Sequence, residues 1–215
     1  MDKLTNLGGQ LAHMINMEMV TDTPIIIDAG ANVGWFIERM KSEFPNVKLI
    51  SIEPGKTNME TIKSKFGNTS NVKLLEGALV GVKTKKATLT EIISVANHQG
   101  NKEHGENRYH QWHNLYDSVP ERSDLDHVNQ YEVKCYTLED ILSDIEKVDY
   151  LKMDIEGSEY DVIETMTQEV ADKISQLSYE DHTKHRVVEA HEKLKELGFN
   201  IKHFAEMDET YAWRN

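Results

Sequence analysis

Ile25-Ile26-Ile27-Asp28-Ala29-Gly30-Ala31-Asn32-Val33-Gly34 is the stretch on which the reading of this chain turns. Three consecutive isoleucines without alternation predict a short strand buried on both faces, as in the middle of a parallel sheet. Asp28 closes the strand. Gly30 and Gly34 then permit a tight turn and a close backbone approach to a ligand. Trp35 to Phe44 carries a helical pattern closed by Pro45, so a helix begins where the turn ends. Its free N–H groups suit a carboxylate or phosphate. The spacing is G-x-x-x-G, which matches neither the G-x-G-x-x-G of a dinucleotide site nor the G-x-x-x-x-G-K-[ST] of a P-loop. The acid at the strand end would repel a pyrophosphate and can attract an ammonium group.

The same alternation continues outward. Val47 to Ile52 predicts a strand ending at Glu53-Pro54, and Lys56 to Phe66 a helix stopped by Gly67. Further strands are expected at Val72–Leu75, Thr88–Ile93, Asp149–Met153 and Leu177–Tyr179. Helices are expected from the cap Thr137 through Ile145, at Ser158–Met166, and at Val187–Leu197 with Gly198 as the stop. Phe199–Glu206 and Thr210–Arg214 read as a closing β-hairpin. Before all this, Leu4, Leu7, Leu11, Met14, Ile15, Met17 and Met19 fall at mostly helical spacing, so residues 3–19 are expected to form an amphipathic helix. Strands alternating with helices at these intervals predict a single α/β domain over residues 1–215 with a mostly parallel sheet.

Residues 94–130 break the pattern. They are rich in Asn, Gln, Asp and Glu and hold His98, His104, His110, His113 and His127. A polar stretch of that length predicts a flap over an acceptor pocket. Tyr109, Trp112 and Tyr116 offer it a stacking surface or simple packing. His110 and His113 have the spacing of a helical metal pair, but no further ligands are fixed by spacing, so they read as polar loop side chains.

Composition narrows the function. Lys and Arg number 24 against 37 Asp and Glu, a formal net charge of −13. That excess of acid argues against a nucleic-acid-binding surface and against docking on an anionic membrane. No run approaches a membrane span, and the first residues lack the pattern of a signal peptide, so a cytoplasmic protein is expected. Cys135 stands alone in the chain, which excludes an intrachain disulfide, and it reads as a strand residue.

Two further acidic motifs follow strands. Glu53 ends the second strand, where in a doubly wound sheet a carboxylate accepts hydrogen bonds from both ribose hydroxyls. Leu151-Lys152-Met153-Asp154-Ile155-Glu156-Gly157-Ser158-Glu159 is a strand, a cluster of acids and a helix start. Asp154 and Glu156 are expected at the sheet edge beside the ligand, and Glu159 in the first helical turn, where acids suit the dipole.

With these strings in order, the chain resembles a class I S-adenosylmethionine-dependent methyltransferase and closely resembles the FkbM family. The glycine turn, Ile52-Glu53-Pro54, Glu76-Gly77-Ala78-Leu79, Tyr136-Thr137-Leu138-Glu139-Asp140-Ile141 and the Asp154-Ile155-Glu156-Gly157-Ser158-Glu159 string carry the likeness over about residues 24–206. The family more often shows Asp where this chain has Glu139. The resemblance implies a Rossmann-like seven-stranded sheet with the last strand antiparallel and helices on both faces. It implies O-methylation, often of a sugar or polyketide hydroxyl, so a small-molecule or glycan acceptor is expected. It implies that Asp28, Gly30, Ala31, Asn32 and Gly34 hold the methionine portion of S-adenosylmethionine. Glu53 would take the ribose, Gly77 and Ala78 would flank the adenine, and Asp154 and Ile155 would lie near the methyl.

Methyl transfer to a hydroxyl needs an aligned nucleophile and a destination for its proton. Asp154 is expected to position the hydroxyl or cofactor, His182 to act as base, and Glu180 to hold the His182 ring or help bind a cation. Asp154 with Glu180 or Asp181 would permit a magnesium ion without demanding one. A catalytically silent member of the same fold is the competing reading. An NAD-linked oxidoreductase ranks third, since G-x-G-x-x-G is missing.

Overall fold

The computed structural model describes residues 4–7, 13–94, 110–114, 127–182 and 184–214. A hairpin of β1 (Leu4–Asn6) and β2 (Met14–Asn16) opens the chain, followed by a 3-10 turn at Met17–Met19. Next come β3 (Ile25–Ala29), α1 (Trp35–Glu43), β4 (Lys48–Glu53), α2 (Lys56–Phe66) and β5 (Val72–Glu76). The middle of the chain forms β6 (Ala78–Leu79), β7 (Lys86–Ser94), β8 (His110–Asn114) and β9 (His127–Tyr136). Then follow α3 (Leu138–Ile141), β10 (Tyr150–Met153), α4 (Glu159–Thr165), α5 (Gln168–Asp172), β11 (Gln176–Glu180), α6 (Val187–Glu196), β12 (Asn200–Phe204) and β13 (Glu209–Trp213).

Seven strands form the main sheet in the order β12-β13-β11-β10-β3-β4-β5. The pairs of β3 with β4 and β10, of β4 with β5, and of β10 with β11 are parallel. β13, the last strand, runs antiparallel to both β11 and β12. The isoleucine run occupies the centre, and its residues serve two cores by strand alternation. Ile26 packs with Phe36, Ile37 and Met40 of α1 and Ile62 and Phe66 of α2 on one face. Ile27 packs with Val162 and Ile163 of α4 and Leu194 of α6 on the other. The sheet's carboxyl edge, where β3, β4, β10 and β11 end, is where an open α/β sheet binds its ligand.

Two regions differ from the sequence reading. Residues 3–19 are not a helix over their described part: β1 and β2 pair antiparallel, with Thr5 opposite Ile15. Gly8-Gly9 interrupts the apolar spacing, and each glycine disfavours a helix by about 1 kcal/mol relative to alanine. The hairpin instead buries Leu7 and Ile15 in the core beside Ile26. The second region is the polar stretch. Its described parts are strands: β8 pairs with the end of β7, and β9 pairs antiparallel along β7 from Lys86 to Ile93. β6 joins β9 in parallel to complete a four-stranded second sheet. Such a sheet can face water on one side, so polar residues fit it. Asn129 and Gln130 are exposed while Val133 and Cys135 are buried. Residues 95–109 and 115–126, with Tyr109 and Tyr116, lie outside the described residues.

The helix after Thr137 is shorter than expected, a single turn held by a capping box between Thr137 and Asp140. No helix among the described residues is long and apolar enough to cross a membrane.

Candidate functional site

The turn after β3 is built by backbone geometry. Gly30, Asn32 and Gly34 all have positive φ, at 80°, 49° and 87°. The N–H groups of Gly30 and Ala31 both donate to the Ile52 carbonyl at 3.0 Å, which ties the turn to the end of β4. A Cβ on Gly30 would lie 1.7 Å from the Asp154 carbonyl oxygen. Gly30 therefore marks where the ends of β3 and β10 come closest.

Beneath the turn lies a charged pair inside the sheet. Asp28 is fully buried inside the sheet. Its counterion is Lys152, directly opposite on β10, with Nζ at 3.1 Å. Nζ also donates to the Gly30 carbonyl at 2.7 Å and lies 3.7 Å from Asp154. Burial works against the Lys152 charge, but Asp28, Asp154 and Glu53 outweigh it and hold its pKa above the ordinary lysine value. Lysine is almost never fully buried unless paired. Lys152 in the apolar run Leu151-Lys152-Met153 was thus the one signal for this pair, and the sequence reading passed over it.

Glu53 ends β4 with its carboxylate held by the chain itself. The Asn32 N–H donates to Oε2 and the Gly55 N–H to Oε1, both at 2.8 Å. Burial pushes the Glu53 carboxyl up to about 8 against these donors. Glu53 lines an open cleft together with Gly30, Asn32, Ala78, Asp154 and Ile155 from the expected set. Leu79, Leu89 and Glu156 complete much of the wall; Leu89 comes from the second sheet and carries no sequence signal. Ala31 and Gly34 pack into the core side of the turn instead. Ala31 is buried with Phe36, and Gly34 faces the Phe66 ring. The Gly77 N–H donates to the Glu53 carbonyl at 3.0 Å, so Gly77 braces the strand end beside the cleft.

The acidic string after β10 forms the other rim. Glu159, buried as the first residue of α4, does more than complement a dipole. Its carboxylate accepts from the Ile155 N–H at 2.6 Å and the Gly157 N–H at 2.8 Å, fixing the loop. Glu156 within that loop has a φ of 56°, a conformation that costs a non-glycine residue about 1–2 kcal/mol and clusters at functional sites. His182 lies against this rim. Its Nδ1 is 3.2 Å from Glu159, and its Nε2 is 3.4 Å from Glu156 and 3.6 Å from Glu180. Burial opposes a charge on the ring, but these carboxylates raise its pKa to about 10. His182 is therefore an imidazolium near neutral pH. An imidazolium has no lone pair with which to accept a proton.

Asp154, Glu180 and His182 each have a donor atom within 4.8 Å of the others, a spacing that a divalent cation requires. The donor chemistry does not fit one. Both His182 nitrogens already face carboxylates, so the ring is a counterion for the acids rather than a ligand. Asp181 belongs elsewhere. It follows Glu180 on the opposite face and contacts the Thr210 hydroxyl at 2.9 Å and His203 at 3.1 Å.

One contributor to this edge comes from the segment expected to be helical. His13, 3% exposed, precedes β2 and stands 4.0 Å from Asp154 through Nε2.

The sequence matches the model of the methyltransferase FkbM domain over residues 28–201. Methyltransferase 1 of Beauveria bassiana is 24% identical over 74% of this chain and 65% of its own length. Methyltransferase sdnD of Sordaria araneosa is 22% identical over 73% of this chain and 66% of its own. The chain thus spans just under two thirds of these relatives. Among solved structures, the methyltransferase FkbM of Methylobacillus flagellatus is similar in fold, with a TM-score of 0.57 at 15% identity over 93% of this chain and 46% of that one. The glycine turn, the Glu53 strand end and the Asp154 rim all fall within the matched region, and the chain belongs to the FkbM methyltransferase domain family.

Proposed function

We propose that this protein is an S-adenosylmethionine-dependent methyltransferase acting on a hydroxyl of a small molecule or glycan. The observation that carries the reading is the Glu53 carboxylate, prepositioned by two backbone N–H groups in the wall of a cleft that opens beside the glycine turn. The residues present fit the cofactor. Glu53 offers an acceptor for ribose hydroxyls, Ala78, Leu79 and Leu89 an apolar surface for the adenine, and the glycine turn room for the methionine end. The bound cofactor supplies a methyl group on a sulfonium.

The chain's own contribution is alignment and charge. Lys152 ties Asp28, the Gly30 carbonyl and Asp154 into one unit, so the cofactor turn and the acceptor rim move together. Asp154 orients the acceptor hydroxyl at the edge of the cleft. His182 neutralises Glu156 and Glu180, which would otherwise repel one another there; its charge removes it from the role of base.

Glu53→Ala is expected to weaken binding of S-adenosylhomocysteine by about 1–3 kcal/mol, roughly 5–150-fold, as hydrogen bonds to a charged group are lost. Calorimetry on the folded variant measures this, and unchanged affinity would remove the ribose assignment. A second consequence follows from the raised Glu53 pKa of about 8. Below that pH the free carboxyl is mostly protonated, whereas ribose hydroxyls donate best to the ionised form. Binding at pH 7 should therefore release a proton, and the heat should vary with the ionisation enthalpy of the buffer. Glu53→Gln should abolish that variation. A protein of this fold without a cofactor pocket would give no heat and no thermal shift with S-adenosylhomocysteine at all.

A further inference from the structure

We propose that Asn58, on the first turn of α2, is a positioning residue for the cofactor whose side-chain amide holds the Glu53 carboxylate for the ribose hydroxyls. The inference rests on the ribose assignment of Glu53 and adds to it a side chain that acts through that carboxylate.

Asn58 stands where the helix pattern calls for an apolar residue. α2 buries Met59, Ile62 and Phe66, and Asn58 belongs to the same buried set at 3% exposure. Asn58, Ile62 and Phe66 follow one another at intervals of four, the stripe that an amphipathic helix turns to the core. Burying an amide there costs free energy unless it is hydrogen-bonded. Asparagine is also a weak helix former. Packing alone would favour a leucine or methionine, so the amide answers another need.

That need lies at the end of β4. The Asn58 amide sits against the Glu53 carboxylate and favours its ionised form, in opposition to burial. Its Nδ2 has no other hydrogen-bond partner among the described residues. The Asn32 and Gly55 donors to Glu53 are backbone N–H groups, which most residues at those positions would supply. Asn58 adds a donor that depends on the identity of its side chain. Asn58 does not line the cleft, so it reaches the ligand through Glu53.

The charges around Glu53 do not replace this contact. Lys152 of β10 also favours the ionised carboxylate, but its ammonium is committed to Asp28, the Gly30 carbonyl and Asp154. Glu76, opposite Glu53 on β5, is exposed and paired with Lys63 of α2. Without the amide, the Glu53 carboxyl should rise further above its ordinary value. More of it would then have to lose a proton before the ribose could donate to the charged form.

Calorimetry with S-adenosylhomocysteine and the full chain tests this. Asn58→Leu keeps the volume and removes the donor. It should weaken binding about 10–100-fold at pH 7, the range for a hydrogen bond to a charged group. The gap from wild type should narrow at least about fivefold by about pH 9.5, where the carboxyl ionises without help. In a Glu53→Ala background the same substitution should change affinity by less than about twofold, because its effect passes through Glu53. Unchanged binding, a gap that stays constant with pH, or an equal loss in the absence of Glu53 would each overturn the proposal. Failure of the ribose assignment looks different: Glu53→Ala alone would then leave affinity unchanged. If the leucine variant does not fold, NMR of the wild-type Asn58 side-chain amide decides. Its resonances should titrate with Glu53 at a pH of about 8 and stop titrating there when S-adenosylhomocysteine is bound. A flat response in the free protein refutes the contact.

Discussion

Lys152→Met is expected to destabilise the protein by about 3–5 kcal/mol, the range for removing one partner of a buried ion pair. Asp28 is fully buried, and Lys152 at 3.1 Å is its counterion. Methionine fills a similar volume, so the loss is electrostatic rather than a cavity. The Gly30 carbonyl also loses its donor at 2.7 Å, which should loosen the cofactor turn. Urea unfolding followed by circular dichroism measures the stability, and a change under about 1 kcal/mol would show that the pair is dispensable.

The double variant Asp28→Asn with Lys152→Met separates the causes. It removes the orphaned charge, so it should recover part of the loss, with a coupling of about 0.5–3 kcal/mol between the two positions. The pH dependence has a definite sign. The folded pKa of Lys152 lies above its ordinary value of 10.5, so its contribution is complete below that pH and is lost only as pH rises through the higher folded value. Asp28 has the opposite sign: burial raises its folded pKa and Lys152 opposes that rise, so without Lys152 its ionisation costs more and the deficit of Lys152→Met should widen as pH rises above the ordinary aspartate range.

This pair also shows what the sequence can and cannot say. The isoleucine run, the glycine turn and Glu53 are local signals, and each occupies the place its spacing implied. Lys152 and Asp28 are partners only because β10 lies beside β3 in one register, and no pattern within either segment encodes that pairing. The same holds for His182. A histidine after Glu180-Asp181 reads as a base, but Glu156 and Glu159 reach it from the loop and helix after another strand, and these contacts, which raise its pKa, are not written in its own segment. The N-terminal segment misled for a different reason. Its leucines and methionines fit a helix as well as a hairpin, and only Gly8-Gly9 distinguished the two. That choice concealed His13. In the middle of the chain, polar residues on an open antiparallel sheet mimicked a loop.

Gly30→Ala is expected to have a large effect on both stability and ligand binding. At a φ of 80° any side chain is strained, by about 1–2 kcal/mol in a left-handed conformation. The second obstacle is greater: the new Cβ would lie 1.7 Å from the Asp154 carbonyl oxygen and 2.8 Å from its carbon. These are backbone atoms of the neighbouring strand end and cannot rotate away. The Asp154 N–H is itself bound to the Ala29 carbonyl at 3.1 Å, so relief requires parting the ends of β3 and β10. That movement separates Lys152 from the Gly30 carbonyl and disturbs the Asp154 side of the cleft. The variant should lose more than about 3 kcal/mol of stability, above the span of most single substitutions. S-adenosylhomocysteine affinity should fall at least about 100-fold in whatever fraction folds, equivalent to about 2.7 kcal/mol. Gly34→Ala provides the comparison. Its φ of 87° is equally unfavourable, but the added Cβ would meet the Phe66 ring at 2.8 Å, a side chain with some freedom to shift. Its loss should be smaller by about 1 kcal/mol or more, since overpacking a side chain typically costs about 1–3 kcal/mol. Equal losses at the two positions would show that backbone conformation dominates, and that the close approach of Gly30 to Asp154 does not set the geometry of the cleft.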